Sequence, residues 1–242
     1  MSRSVIITGV LGGIGQGIAK VFAESGYHVI GIDVKSGSHA YGEVFQMDIG
    51  RFAEDAQYMT ECLGRLEAAL QDLHALINNA AVQLLNPLEN QTLADWNTTL
   101  NTNLTAPMLL SQWAVPLLAP NQGSIINIAS IHEQLTKPRF IAYATSKSAL
   151  VGLTKSMAVD LAGKVRVNAI SPAAIETAML KAGFDNDESA IDELRKLHPV
   201  QRIGYPEEVA KLALFLASEE AGFINGANLS LDGGISSVLN DL

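Results

Sequence analysis

Tyr143 and Lys147 stand four residues apart in "YATSK", and Ser130 closes the apolar run "SIINIAS" thirteen positions before the tyrosine. Four helical steps of ~100° bring positions 143 and 147 to one face of a helix. A serine at a strand end and a tyrosine on the next helix can then converge on one substrate oxygen. A free phenol has a pKa of ~10 and is a poor base at neutral pH. An ammonium ~5 Å away, at an effective dielectric of ~20, stabilises the phenolate by roughly 3 kcal/mol. That is about two pKa units, which predicts a phenol near ~8 and a usable proton shuttle.

A second constellation lies at the start of the chain. "TGVLGGIG" (8–15) ends a strand-like run and opens the helical "GIGQGIAKVFAESG". Glycines let a backbone approach a diphosphate, and the free N–H groups and dipole of a helix start attract the anion. Gly9, Gly13 and Gly15 are spaced GxxxGxG, a loose variant of the common dinucleotide fingerprint GxGxxG. Asp33 ends the second strand-like run twenty residues after Gly13, where a carboxylate can accept from both ribose hydroxyls of an adenosine and would repel a 2′-phosphate. Positions 10–12 hold no Arg or Lys, and Lys35 stands against that adjacent acid, so NAD is expected over NADP.

The elements that must position these groups are legible as strand-like runs at 4–9, 28–33, 44–48, 75–80, 124–130, 165–171 and 228–233, mostly separated by helix-length segments. Near-continuous apolar strands imply two covered faces. The expected fold is therefore α/β: a Rossmann-type, doubly wound parallel sheet of about seven strands with helices on both faces. Such sheets bind ligands at the carboxyl ends of their strands. Residues 143–162 read as a helix with Ala149, Leu150, Leu153, Met157 and Leu161 as its apolar stripe. Neither repeats nor linkers divide the chain, so residues 1–242 are expected to form a single domain.

Composition narrows the partners. A formal charge of −9 gives no basic footprint for nucleic acid or an anionic membrane. No apolar stretch approaches the ~18 residues of a membrane helix, and "MSRS" leads straight into "VIITG" without a signal segment, so a cytoplasmic location is expected. Cys62 is the only cysteine and reads as a packing residue in an amphipathic run. His28, His39, His74 and His198 show no ligand spacing, and no metal is expected.

Taken together, "TGVLGGIG", Asp33, "MDI" (47–49), "NNAA" (78–81), "NTNLTAP" (101–107), Ser130, "YATSK", "RVNAISPAAIET" (166–177), "QRIGYPEEVA" (201–210) and "LDGG" (231–234) resemble the short-chain dehydrogenase/reductase family in its compact form, nearly end to end. The resemblance implies that Tyr143 is the acid/base, that Ser130 polarises the reacting oxygen, and that Lys147 holds the nicotinamide ribose and lowers the tyrosine pKa. Asn103 would anchor a water leading protons to Lys147. The cofactor would lie along Gly9, Leu11, Gly13, Ile14, Gly15 and Asp33, with Asp48 and Ile49 at the adenine. Asn79, Ala80 and Ala81 would run beside ribose and diphosphate, and Pro172, Ile175 and Thr177 would lie at the carboxamide, alongside Tyr143 and Lys147. Ala81 and Ala173 replace the usual glycines of "NNAG" and "PG", adding a methyl at each place. The family also implies a homo-oligomer, commonly a tetramer, and a lid over about 178–200.

"ASIHEQLTKPRFIAYATSK" is similar to bacterial glucose 1-dehydrogenases in its Ser-x-His-Glu pattern. His132 reads either as a contact to a sugar or polyol or as a local loop group, and the role of Glu133 is open. The expected activity is NAD-dependent interconversion of a secondary alcohol and a ketone. The alternatives are an NADPH-dependent 3-ketoacyl reductase, which Asp33 opposes, and a non-catalytic NAD-binding redox sensor, which the intact Ser, Tyr and Lys oppose.

Overall fold

The computed structural model describes residues 3–184 and 187–239. Seven parallel strands form one sheet: β1 (Arg3–Thr8), β2 (His28–Asp33), β3 (Gly42–Gln46), β4 (Asp72–Asn78), β5 (Ser124–Ile128), β6 (Arg166–Pro172) and β7 (Asn228–Leu231), in the order β3-β2-β1-β4-β5-β6-β7. The helices are α1 (Gly13–Glu24), α2 (Ala56–Ala69), α3 (Leu93–Leu100), α4 (Ala106–Leu118), α5 (Ile141–Asp160), α6 (Ala178–Gly183), α7 (Glu188–Leu197) and α8 (Pro206–Ala217). The order reverses between β1 and β4, which opens the crevice expected of this topology at their carboxyl ends.

The strands are apolar on both faces because both are covered. Val5 and Ile7 of β1 point into a core with Ile18 and Phe22 of α1 and Val209, Ala213 and Leu216 of α8. Ile6, between them, belongs to the opposite core with Leu63 and Leu66 of α2 and Leu110 and Ala114 of α4. Successive side chains alternate faces, so a run without a polar residue marks a strand buried on each side. Cys62 is buried in α2, as a packing residue should be.

One connection departs from the helical crossovers expected from the sequence. β2 and β3 pair in parallel, yet only residues 34–41 join them, and these include no helix. Parallel neighbours usually need a dozen or more linking residues. Here Val29 faces Gly42, so the chain must run back only about four residues, roughly 13 Å at 3.3 Å each. Nine Cα steps reach up to ~30 Å, so an extended loop suffices. It lies against the glycine turn, where a Cβ on Gly37 would stand 2.8 Å from Leu11 Cδ1.

The stripe expected on α5 is also only partly right. Leu150 is buried, but the face turned most fully inward carries Ala142, Ser146, Lys147, Val151, Thr154 and Ala158. A pattern that counts apolar residues misses this face because half of it is polar and satisfied inside the protein. Thr154, for example, donates to Leu150 O and accepts from Asn127 Nδ2, both at 2.8 Å. No helix is long and apolar enough to cross a membrane among the described residues.

Candidate active site

At the β1 end of the crevice, the glycine turn is packed too closely for side chains. Gly9 has φ +66°, and a Cβ there would meet Ala80 Cα at 2.9 Å. A Cβ on Gly15 would lie 2.1 Å from Gly9 O, and one on Gly13 would lie 2.7 Å from Thr177 Cγ2. The turn thus packs against the β4 end on one side and the start of α6 on the other. Gly12 precedes α1 without a side-chain cap, and the first turn of α1, including Ile14, holds no acid. Its N–H groups are left to an anion.

Asp33 is 8% exposed and braces this turn. Its Oδ2 accepts from Leu11 N at 2.9 Å and its Oδ1 from Lys35 N at 3.0 Å. Each carboxylate oxygen keeps acceptor capacity for a ribose hydroxyl. Thr8, which sequence reasoning passed over, is the pin between β1 and β4. Its Oγ1 accepts from Asn79 N and Ala80 N, both at 2.9 Å, and Asn79 Nδ2 donates to Thr8 O at 2.9 Å. Asp48 Oδ1 accepts from Gly50 N at 3.0 Å, its N–H donates to the Tyr58 hydroxyl at 2.8 Å, and Ile49 beside it is buried. Neither Ala81 nor Ala173 takes a positive φ, so both added methyls are free of backbone strain.

The β5 and β6 end is built from side chains. Ser130 follows β5 with extended backbone and caps a one-turn 3-10 helix, Ile131–Glu133. Its Oγ accepts from His132 N at 3.2 Å, which leaves the hydroxyl proton to be donated. That hydroxyl interacts with the Tyr143 phenol and favours its ionised form. Lys147, 2% exposed, donates from Nζ to Ile128 O at 2.7 Å, and Nζ lies 5.7 Å from the centre of the Tyr143 ring. Ile175 is buried and pairs with Gly204, while Thr177 caps α6 by accepting from Leu180 N at 3.2 Å. Pro172 ends β6 beside them.

Electrostatically this end departs from the value expected from sequence. Burial raises the Tyr143 phenol above its ordinary 10, opposed by the Ser130 hydrogen bond. Burial also lowers the Lys147 ammonium to about 8. A phenol near ~8 would follow from the attraction of the amine alone. Both groups also lose their water, and in the protein this desolvation dominates.

Asn103 is held on three sides. It sits, buried, in a π-turn, Asn101–Thr105, between α3 and α4. Its Oδ1 accepts from Val82 N at 2.8 Å, and its Nδ2 donates to Val82 O and Ser146 Oγ, both at 3.0 Å. The amide is therefore bonded to the neighbour of Lys147. Ser146 in turn donates to Tyr143 O at 2.7 Å. No periodicity pointed to Ser146, although its place directly before the lysine was available.

His132 stacks on Phe140, centroids 4.3 Å apart, and both rings stand edge-on to Tyr143 at 5.8 and 6.0 Å. Burial, with Lys137 nearby, lowers the imidazole to about 4, so it is neutral at physiological pH. No cluster of His, Cys, Asp or Glu suited to a metal occurs among the described residues.

Residues 9–236 match the family model described as Enoyl-(Acyl carrier protein) reductase. A D-threitol dehydrogenase of Mycolicibacterium smegmatis is 35% identical, over 96% of this chain and 92% of its own. An NAD-dependent glycerol dehydrogenase of Listeria innocua is 32% identical, over 96% and 93%. Among solved structures, the ligand-free aldohexose dehydrogenase of Thermoplasma acidophilum superposes with a TM-score of 0.93 at 32% identity, covering 100% of this chain and 96% of that one. The chain belongs to the short-chain dehydrogenase/reductase family. It is an NAD(P)-dependent oxidoreductase that interconverts alcohols and ketones.

Proposed function

We propose that this enzyme oxidises a secondary hydroxyl of a sugar or polyol with NAD, and that Ser130, Tyr143 and Lys147 carry the reaction. The observation that bears most weight is their convergence. Ser130 keeps its hydroxyl proton to give, and the phenol it faces shares its helix face with a buried amine. Bound along the glycine turn, a nicotinamide dinucleotide supplies the hydride acceptor. The turn fits that group because side chains are excluded at positions 9, 13 and 15, and the start of α1 offers uncapped N–H groups to a diphosphate.

Tyr143 reacts as the phenolate, which a bound cationic nicotinamide would favour against the burial that raises its pKa; its Oη then takes the carbinol proton as the C–H bond breaks, and Ser130 Oγ–H donates to the same oxygen. Lys147, whose Nζ keeps two N–H groups beyond the bond to Ile128 O, would hold the nicotinamide ribose and pass the proton onward. Since the Asn103 amide is consumed by Val82 and Ser146, Asn103 serves that relay through the main chain of its π-turn. Asp33 would receive the adenosine ribose hydroxyls and disfavour a 2′-phosphate. Neutral His132 can donate or accept toward a second substrate hydroxyl, which suits the polyol and sugar named for the relatives. The segment about 178–200 closes over this end, excluding water from hydride transfer. It holds α6 and α7, while Asp185 and Asn186 lie outside the described residues. The proposal extends to one catalytic domain, a cytoplasmic location and a homo-oligomer, tetrameric as is common in the family, with exposed Leu93 and Val159 on α3 and α5 as apolar surface for assembly.

The test is a panel of tetritols, glycerol, aldoses and cyclic alcohols assayed for reduced-dinucleotide appearance with NAD and with NADP. Turnover on polyols or aldoses with NAD preferred at least about 10-fold is expected. Tyr143→Phe should lose roughly 100- to 10,000-fold in kcat while binding NADH as the wild type does. Tighter NADPH than NADH binding would overturn the reading of Asp33, and substantial turnover by Tyr143→Phe would overturn that of the phenol.

A further inference from the structure

Glu133 follows the serine by three residues and makes no ion pair with a Lys, Arg or His among the described residues. Its Oε1 accepts from Asn228 Nδ2 at 3.0 Å, and Asn228 Oδ1 accepts from Ser171 Oγ at 2.8 Å. Asn228 begins β7 and Ser171 belongs to β6, so this side chain crosses from the serine turn to the last two strands. Its backbone is held as well: Glu133 N donates to Ser130 O at 2.9 Å, and Glu133 O accepts from Ser148 Oγ of α5 at 2.8 Å. One residue therefore ties the turn bearing Ser130 and His132 to β7, β6 and α5.

The turn needs such a tether. It is a single turn of 3-10 helix, and short 3-10 pieces have poor hydrogen-bond geometry of their own. The exposed stretch 134–139 follows it. The Ser130 hydroxyl is held in this turn by the His132 N–H that donates to its oxygen. Loss of the turn would free the hydroxyl to rotate away from the phenol.

We infer that Glu133 is a positioning residue: its carboxylate, anchored by the Asn228 amide on β7, holds the Ser130–His132 turn in the geometry that the alcohol chemistry uses. The inference rests on the assignment of Ser130 to that chemistry. A displacement of ~1 Å in a reacting group can cost about 100-fold in rate, so this tether can matter without touching substrate.

Four variants test it: Glu133→Ala, Glu133→Gln, Asn228→Ala, and the Glu133→Ala/Asn228→Ala pair. Glu133→Ala is expected to lower kcat about 10- to 100-fold with NADH affinity unchanged, and to speed hydrogen exchange at the His132 amide. Glu133→Gln keeps an oxygen for the Asn228 amide and should recover most of the rate. Asn228→Ala should imitate Glu133→Ala, and the pair should be no worse than either alone. Unchanged kcat and unchanged exchange in Glu133→Ala would overturn the inference, as would a Glu133→Gln protein as slow as Glu133→Ala. Exchange requires no substrate. A wild type inert on every polyol would therefore sink the substrate reading, while the exchange data would still decide the tether.

Discussion

The two ends of the crevice are made in opposite ways. At the β1 end, binding is prepared by what is missing. Three glycines leave no side chain between the turn, Ala80 and Thr177, so the turn presents main-chain groups to the crevice. At the β5 end, the site is made of polar side chains brought from the turn after β5, from α5 and from the π-turn, two of them titratable, Lys147 buried and Tyr143 partly so. A binding site of exclusion fails by collision. A site of buried protons fails by a shift of charge or a rotated hydroxyl. The same substitution logic therefore cannot serve both ends.

The sharpest break falls on the glycine end. Gly15→Ala places a methyl 2.1 Å from Gly9 O and 2.8 Å from Val10 Cα, both backbone, which cannot yield as a flexible side chain would. NADH affinity should fall at least about 100-fold, with a loss of ~1–3 kcal/mol in stability from overpacking. Fluorescence titration and chemical denaturation measure the two. Affinity within a few-fold of wild type would show that the turn is looser than its contacts indicate.

Next in size is the protonation of Tyr143. With burial dominant, the phenolate should appear only above pH 10 in the protein without dinucleotide. The ultraviolet titration of wild type minus Tyr143→Phe isolates this one of the chain's five tyrosines. A transition near ~8 instead, about two units lower, would make the attraction of the amine the dominant influence on the phenol.

The smallest effect is on stability, and it belongs to Lys147. Its folded pKa of about 8 lies below the ordinary 10.5, so the buried ammonium is unfavourable below pH 8. The unfolded chain binds more protons than the folded one between those values, so this penalty is relieved as pH rises from about 8 to 10.5. Lys147→Met removes the charge but strands Ile128 O. A net gain of ~1–2 kcal/mol at pH 7 is expected, shrinking across the same window. A variant less stable than wild type at pH 7 would mean that the hydrogen bond outweighs the desolvation. No such gain is expected at the glycine end, where the buried carboxylate of Asp33 accepts from Leu11 N and Lys35 N and its removal would strand both.

How much was legible follows the same division. Gly9, Gly13, Gly15 and Asp33 could be read because residue type and spacing are themselves the mechanism: only glycine fits, and an acid must end β2. Ser130, Tyr143 and Lys147 could be read as types, yet their proton affinities could not, because desolvation depends on the whole fold. Ser146, Thr8 and Asn228 were invisible for a related reason. Each acts through hydrogen bonds that reach segments far away in the chain, and no local pattern encodes such bonds. The missing helix between β2 and β3 escaped a strand-and-crossover reading because register, four residues of return, decides whether an extended loop can reach.

The π-turn at Asn101–Thr105 governs more than Asn103. An unbroken α-helix from 93 to 118 would set Thr99 and Ala106, seven positions apart, within about 20° of one another. The wider turn adds angular phase between them. Thr99 is buried on α3, which packs on α5, while Ala106, Leu110, Ala114 and Leu118 of α4 are buried in the core on one face of the sheet. This wider turn therefore works as a gear that gives the two halves of a continuous rod separate headings.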